Sequence, residues 1–323
     1  MNPSSLTLPS FAKVNWSLRI LGRRSDGYHE VRTILQTVSL QDDLEFEVSG
    51  DGVVRLICDQ PDIPTDDRNL IVRAGNALKA RYQVDKGARI RLVKRIPAKA
   101  GLGGASSNAA VSLLALAHLW EVEATAPELL EIASQLGADV PFFLLGGSAI
   151  GTGTGATISS LANEGECDPQ HLIVITPNAT VSTAEAYAAI SLPALTTMKL
   201  DPILSNSRNE SNSGNSQPWP PRDLFLGDLK NDFEPVIFDI EPEIRRARDT
   251  LLQAGALGAL LAGSGSSVFG IFANWEAQQR AIKEIQAESG WRIFPCVTLS
   301  RDEYHRQMGL ERDSLFRFFE QGF

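Results

Sequence analysis

The chain has 323 residues, 43% apolar and 21% charged, which excludes a disordered or fibrous protein and leaves one large domain or two. Its 39 Asp and Glu outweigh 30 Lys and Arg, and the net charge of -9 argues against a general nucleic-acid binder, though not against a basic pocket for a small anion. Three scattered cysteines (Cys58, Cys167, Cys296) and four histidines without ligand spacing argue against a disulfide framework or a protein-built metal site.

The N-terminus carries no basic region followed by an apolar run, and the longest apolar stretch, 109–120, is too short to span a bilayer. A soluble, cytoplasmic protein is expected.

In chain order, residues 12–20 read as a strand and 22–27 as a turn cluster. Further short strands are expected over 31–40, 44–48 and 53–58, separated by Asp and Gly. Helical spacing over 69–82 puts Leu70, Ile71, Ala74, Ala77 and Leu78 on one face. An alternating strand follows over 89–96. The run 106–120 is apolar nearly all round, the pattern of a helix buried on most sides. Beyond Gly155 the pattern restarts, with a strand over 171–176 and a short helix over 182–190. The Ser/Asn/Pro-rich stretch 204–221 reads as a surface loop or insertion. Helices over 243–253 and 275–288 and strands over 257–261, 267–273 and 292–298 complete an α+β chain. Two domains are expected, 1–160 and 161–323.

The richest chemistry lies in KRIPAKAGLGGASSNAAVSLLAL, residues 94–116. A strand leads into three glycines (Gly101, Gly103, Gly104), two serines and the buried helix. Glycines let the backbone turn its N–H groups inward, and the helix start adds unpaired N–H groups and a positive dipole end. Together they suit a polyphosphate. Ser106 and Ser107 would cap the helix or donate to phosphate. The loop is neither a Walker A sequence nor a dinucleotide fingerprint, and taken alone it reads first as an ordinary strand-to-helix connection with a serine cap.

Two other features add weight. In GADVPFFLLGGSAIGTGTG, residues 137–155, Asp139 enters an apolar run, so either it is poorly solvated and needs a partner or it caps a helix. In FAKVNWSLRI, Lys13 and Asn15 share one face of a strand. The loop within 260–272, with Gly263 and Gly265, reads as a tight hairpin.

With these residues in view, the chain resembles the superfamily named for galactokinase, homoserine kinase, mevalonate kinase and phosphomevalonate kinase (GHMP kinases). Residues 97–107 look like its phosphate loop and 260–272 like its third glycine motif. The opening AKVNWSLRILGRRSDGYHEVRTILQTVSLQDDLEF resembles the members that act on 4-diphosphocytidyl-2-C-methyl-D-erythritol. The match runs over most of 10–155 and returns at 231–235 and 260–272.

The resemblance implies a two-domain GHMP kinase fold with the active site in the cleft between the domains. It also implies transfer of the ATP γ-phosphoryl group to the 2-hydroxyl of that cytidylated alcohol, on the non-mevalonate route to isoprenoid precursors. ATP and Mg²⁺ are the expected cofactors, with the ion held mainly by the nucleotide and no protein ligand named.

Asp139 and Lys13 fall where the family has its catalytic pair. Pro97, Ala98, Lys99, Ala100, Gly101, Leu102, Gly103, Gly104, Ala105, Ser106 and Ser107 fall on its ATP-binding loop. Asn15, Tyr28, His29 and Tyr187 fall where it reads the substrate, a histidine suiting cytosine's polar edge and an aromatic ring its face. Lys94, Asn69 and Asn108 are expected beside the adenine. Asn108 stands where some relatives carry aspartate, and Trp16 is bulkier than the leucine common at its position. Two alternatives stay open: another small-alcohol kinase of the superfamily, of mevalonate or homoserine type, and a non-catalytic nucleotide-binding sensor of the same fold.

Overall fold

The computed structural model describes residues 4–161, 168–190, 229–288 and 290–309; Cys167 and the stretch 204–221 lie outside them. Strand β1 (Ser5–Arg23) and strand β2 (His29–Ser49) form a long hairpin, paired from Ser5 opposite Glu47 to Arg23 opposite His29. They are joined by β3 (Val54–Cys58), β4 (Gly87–Val93), β5 (Ser148–Thr152), β6 (Thr157–Ser160) and the two-residue β8 (Lys230–Asn231). The order is β3-β4-β2-β1-β8, with β5 on β2 and β6 on β5. A second sheet takes β7 (His171–Thr176), β9 (Gly258–Leu261), β10 (Val268–Phe272) and β11 (Arg292–Val297) in the order β11-β7-β10-β9.

The polar run at Gln41-Asp42-Asp43 does not split β2 into the two strands expected over 31–40 and 44–48. Asp42 is fully buried. Its Oδ1 accepts the backbone N–H groups of Arg95 and Ile96 (both 2.7 Å), and its Oδ2 accepts from Lys94 Nζ at 2.7 Å. Charge-assisted bonds from three donors stand in for water, so the carboxylate is carried inside the sheet without breaking it.

Helix α1 (Leu70–Tyr82) starts at Asn69, whose side chain accepts from the Ile71 N–H. Helix α2 (Gly104–Leu119) is buried except at Ala105, Ser106 and His118, as its all-round apolar sequence requires. Truncating a side chain such as Leu113, fully enclosed there, would cost about 2–5 kcal/mol. Helix α3 (Ala126–Leu136), entered by a Thr125/Glu128 capping box, and the short α4 (Val140–Leu145) pack with α1 and α2 in one core against the first sheet.

A second core lies between the sheets. There Ala12, Val14 and Trp16 of β1 meet Leu172, Val174 and Phe269, with Ile96, Ala100 and Leu102 from the glycine-loop segment. The intervening residues of β7, Ile173 and Ile175, point into a third core. That core also takes α5 (Thr183–Ala189), α6 (Glu234–Ile240), α7 (Pro242–Gln253) and α8 (Trp275–Glu288). Burial on both faces explains the unbroken apolar run HLIVIT. The last described element, α9 (Arg301–Gln307), leaves β11 and returns to the first core through Tyr304 and Met308. Among the described residues no helix is long and apolar enough to cross a membrane.

Candidate active site

The glycine loop sits between the two sheets and is shaped by what it touches. Gly101 has φ +76°, and a Cβ there would lie 1.9 Å from the carbonyl oxygen of Ala262 in the β9–β10 hairpin. Gly103 has φ +70°, and its Cβ would lie 2.8 Å from Phe143 Cζ and 3.0 Å from Lys13 Cγ. Only glycine fits positions that combine a left-handed backbone with so close an approach. The Ser267 N–H donates to Ala100 O (3.1 Å) and the Lys13 N–H to Leu102 O (3.0 Å), so the loop is fastened to both sheets.

Helix α2 begins one residue after Gly103, with no side-chain cap. The expected serine cap is therefore not formed: Ser106 and Ser107 already lie inside the first turn. The Ser107 hydroxyl is buried, 2.7 Å from Ser10 Oγ, which is also 2.7 Å from Asn108 Oδ1. Ser106 is half-buried at the helix start. The first intrahelical bond runs from the Ser107 N–H to Gly103 O, so Gly104, Ala105 and Ser106 have no acceptor within the helix. Their N–H groups and the positive helix end make an anion cradle. Of its approach, Pro97 and Ala100 are buried while Ala98 and Lys99 are exposed.

Lys13 lies beside this cradle, its side chain almost wholly buried. Its ammonium donates to Asn15 Oδ1 at 2.8 Å and stands 3.6 Å from Asp139 Oδ2. Asn15 in turn donates to Thr33 Oγ1 (2.7 Å), whose hydroxyl donates to Ser17 O (2.7 Å). Because Thr33 spends its proton on the backbone, it can only accept from Asn15, and this turns the amide oxygen toward Lys13.

Asp139 occupies the N-cap position of α4 but makes no capping hydrogen bond. Its carboxylate is thus left for Lys13 and for the cleft. The expectation of a poorly solvated aspartate is corrected: its side chain is 37% exposed, and the enclosed partner is the lysine. The apolar run lies C-terminal to Asp139, inside α4, and does not cover it.

Of the remaining candidates, His29 and Tyr187 come together and Tyr28 does not. His29 stacks on Tyr187 with centroids 4.7 Å apart and planes at 18°, and Tyr187 meets Phe233 edge-on at 4.9 Å. Burial, helped by the nearby negative charge of Asp139, pushes the Tyr187 hydroxyl up to about 12. Tyr28 stands apart on the hairpin turn, 66% exposed.

The three residues expected beside adenine all have internal work. Asn69 caps α1 and donates to Pro64 O. Asn108 meets Ser10, and Lys94 is bound by Asp42 and by Ile96 O. Burial lowers the Lys94 ammonium from its usual range, with the Asp42 carboxylate opposing that shift.

Asn231 and the hairpin it holds complete the site. Its amide donates to Leu261 O (2.9 Å) and Gly263 O (2.7 Å), while its oxygen accepts from the Phe233 N–H. This fixes Gly263, where a Cβ would lie 2.9 Å from Gly101 O and 3.2 Å from Lys13 Nζ. Thr33 and Asn231 carry no catalytic signature in the sequence. The local hint for Asn231 is that the family match returns at 231–235; Thr33 has none of its own.

Residues 69–147 match the model of the GHMP kinases N terminal domain and 222–289 that of the GHMP kinases C terminal. A glycine cradle between two sheets and these two matches define a GHMP kinase. A homoserine kinase from Cytophaga hutchinsonii shares the fold at TM-score 0.68 and 20% identity, covering 92% of this chain and 95% of that one. A crystal structure of 4-(cytidine 5'-diphospho)-2C-methyl-D-erythritol kinase has TM-score 0.71 and 33% identity, covering 91% and 99%. The 4-diphosphocytidyl-2-C-methyl-D-erythritol kinase of Pelotomaculum thermopropionicum is 39% identical over 276 residues, 85% of this chain and 92% of its own. The chain belongs to the family of 4-diphosphocytidyl-2-C-methyl-D-erythritol kinases.

Proposed function

We propose that this chain transfers the γ-phosphoryl group of ATP to the 2-hydroxyl of 4-diphosphocytidyl-2-C-methyl-D-erythritol, a step toward isoprenoid precursors by the non-mevalonate route. The observation that carries the reading is the Lys13–Asp139 pair, 3.6 Å apart at the mouth of a glycine cradle. An alcohol is a poor nucleophile. Asp139 takes its proton as the oxygen bonds to phosphorus and the bond from phosphorus to the β,γ-bridging oxygen breaks, releasing ADP. A carboxylate so placed contributes on the order of 10²–10⁴-fold. Lys13, held by Asn15, offsets negative charge on the attacking oxygen.

The cradle suits the nucleotide: its glycines let the loop backbone lie against the β9–β10 hairpin and Phe143 with no side chain between, and the α2 start offers N–H groups to phosphate oxygens. Mg²⁺ belongs to the same proposal and would neutralise charge on the phosphates. As Mg²⁺ commonly does in such sites, the ion would be held mainly by the nucleotide phosphates. For the base, His29 and Tyr187, stacked on each other, would supply an aromatic face and a ring nitrogen, and Tyr28, exposed on the hairpin turn before His29, a further ring. A division into domains 1–160 and 161–323 and a cytoplasmic setting complete the reading, the latter in keeping with free thiols at Cys58 and Cys296.

The test is ADP release with Mg²⁺-ATP against the cytidylated alcohol, mevalonate, homoserine and galactose, with a no-acceptor blank. Turnover on the cytidylated alcohol alone is expected. Turnover on another acceptor would keep the catalytic pair and overturn the specificity, and ATP binding without any turnover would mark a sensor.

A further inference from the structure

Helix α4 is six residues long and carries Asp139 at its start, so its own hydrogen bonds cannot hold it rigid. Its far end is held from elsewhere. Tyr304 of α9 is fully buried, and its hydroxyl donates to Phe143 O at 2.6 Å. One residue on, His305 Nε2 lies 3.0 Å from Leu145 O. Both carbonyls belong to the last turn of α4, where acceptors lack intrahelical donors.

The tyrosine ring fills the space beside Gly146, where a Cβ would lie 2.1 Å from Tyr304 Cδ1, and it packs on Phe11 with centroids 5.6 Å apart. The segment bringing these side chains is itself tied to the first sheet. Leu299 N–H donates to Thr37 O, Gln36 Nε2 donates to Leu299 O, and Arg301 donates to Ser160 Oγ and Ser148 O. It thus crosses from the end of the second sheet to the strands flanking α4.

We propose that Tyr304 is a positioning residue for Asp139, and that residues 299–308 form a strap fixing the helix that carries it. The inference rests on the reading of Asp139 as the proton acceptor. Side chains pinned to the last carbonyls of α4 leave the helix little freedom to rotate about its axis. With so few residues between Phe143 and Asp139, that rotation would swing the carboxylate past the acceptor hydroxyl. The nucleotide cradle is held separately, by Ser267 and Lys13 on the loop backbone. The strap therefore acts on the chemical step more than on ATP capture.

Tyr304→Phe keeps the ring and removes only the hydroxyl. Measured well below the melting temperature, with folded protein counted by active-site titration, kcat should fall about tenfold, a fraction of the 10²-fold that a 1 Å displacement costs. KM for ATP should stay within about twofold. His305→Ala, which removes the contact to Leu145 O, should act in the same direction and replaces Tyr304→Phe if that variant does not fold. Unchanged kcat with a lowered melting temperature would make the strap merely structural and overturn the proposal. A rise in KM for ATP matching the fall in kcat would also overturn it, because the effect would then run through Phe143 onto Gly103. Asp139→Asn in the same assay separates the two readings: if it turns over normally, the assignment of the proton acceptor fails; if it is dead while Tyr304→Phe is normal, only the strap fails.

Discussion

Replacing Gly101 by alanine tests whether contact between the two glycine loops shapes the proposed nucleotide site. A left-handed backbone at a non-glycine residue costs about 1–2 kcal/mol. The added Cβ would lie 1.9 Å from Ala262 O and 3.0 Å from Gly265 O, both backbone atoms that no rotamer change can move. The loops must therefore part by about 1.5 Å to restore ordinary van der Waals contact. That parting stretches the 3.1 Å bond from Ser267 N–H to Ala100 O, worth about 0.5–1.5 kcal/mol. Stability should fall by about 2–3 kcal/mol, seen as a melting temperature lower by about 5–10 °C. Because a displacement of about 1 Å already costs about 100-fold, kcat/KM for ATP should fall by at least that factor. Gly255→Ala is the control. Gly255 also has a positive φ, +90°, but nothing lies within 4 Å of its Cβ position. It should lose about 1 kcal/mol and no activity. If the two variants behave alike in both melting and kcat/KM, contact between the loops does not shape the site.

Asp139→Asn should lower kcat by about 10²–10⁴-fold while ATP affinity, measured by calorimetry, changes little. An equal loss of binding and turnover would make the aspartate a structural one. Glu234 gives a prediction in pH: burial raises its carboxyl above the usual range, although its Oε1 accepts the Leu261 N–H at 2.9 Å. The folded state then holds a proton that the unfolded state releases, so this contribution to stability is full below about pH 4.5 and is lost as pH rises through the raised folded value. Glu234→Gln keeps an acceptor for Leu261 and carries no charge, so it should raise the melting temperature at pH 7 and 8 but not at pH 4. A gain equal at all three values would refute the argument.

What the sequence made legible was what local pattern controls. Continuous apolar runs located α2 and β7, and a glycine cluster before a buried helix located the cradle. The pairing of Lys13 with Asp139 came from resemblance, and the fold brings them within 3.6 Å. Readings failed where a distant partner decides the outcome. Asp42 looks like a strand break until Lys94 and the backbone after β4 are known to meet it. Asp139 looks buried because Val-Pro-Phe-Phe follows, yet that apolar weight falls inside α4 and leaves the carboxylate at the cleft. Short α4 and α9 carry too few residues for a periodic signal. Tyr304 gains its meaning only from Gly146, a residue some 160 positions earlier whose missing side chain makes room for it.

The bond between Ser267 and Ala100 also sets an order of events in the making of the protein. The glycine loop leaves the ribosome early, with its strand and its helix, but its other wall comes on the order of 170 residues later. At about 5–20 residues per second, a nascent chain spends on the order of ten seconds with the cradle half built. During that interval the first half carries an exposed sheet edge awaiting β8 and an apolar face awaiting the second sheet. Nucleotide can do little to hasten that stage, because the wall that fixes the loop has yet to arrive. Firm nucleotide binding is therefore expected only once the β9–β10 hairpin has joined the loop, and the first half alone should bind nucleotide poorly.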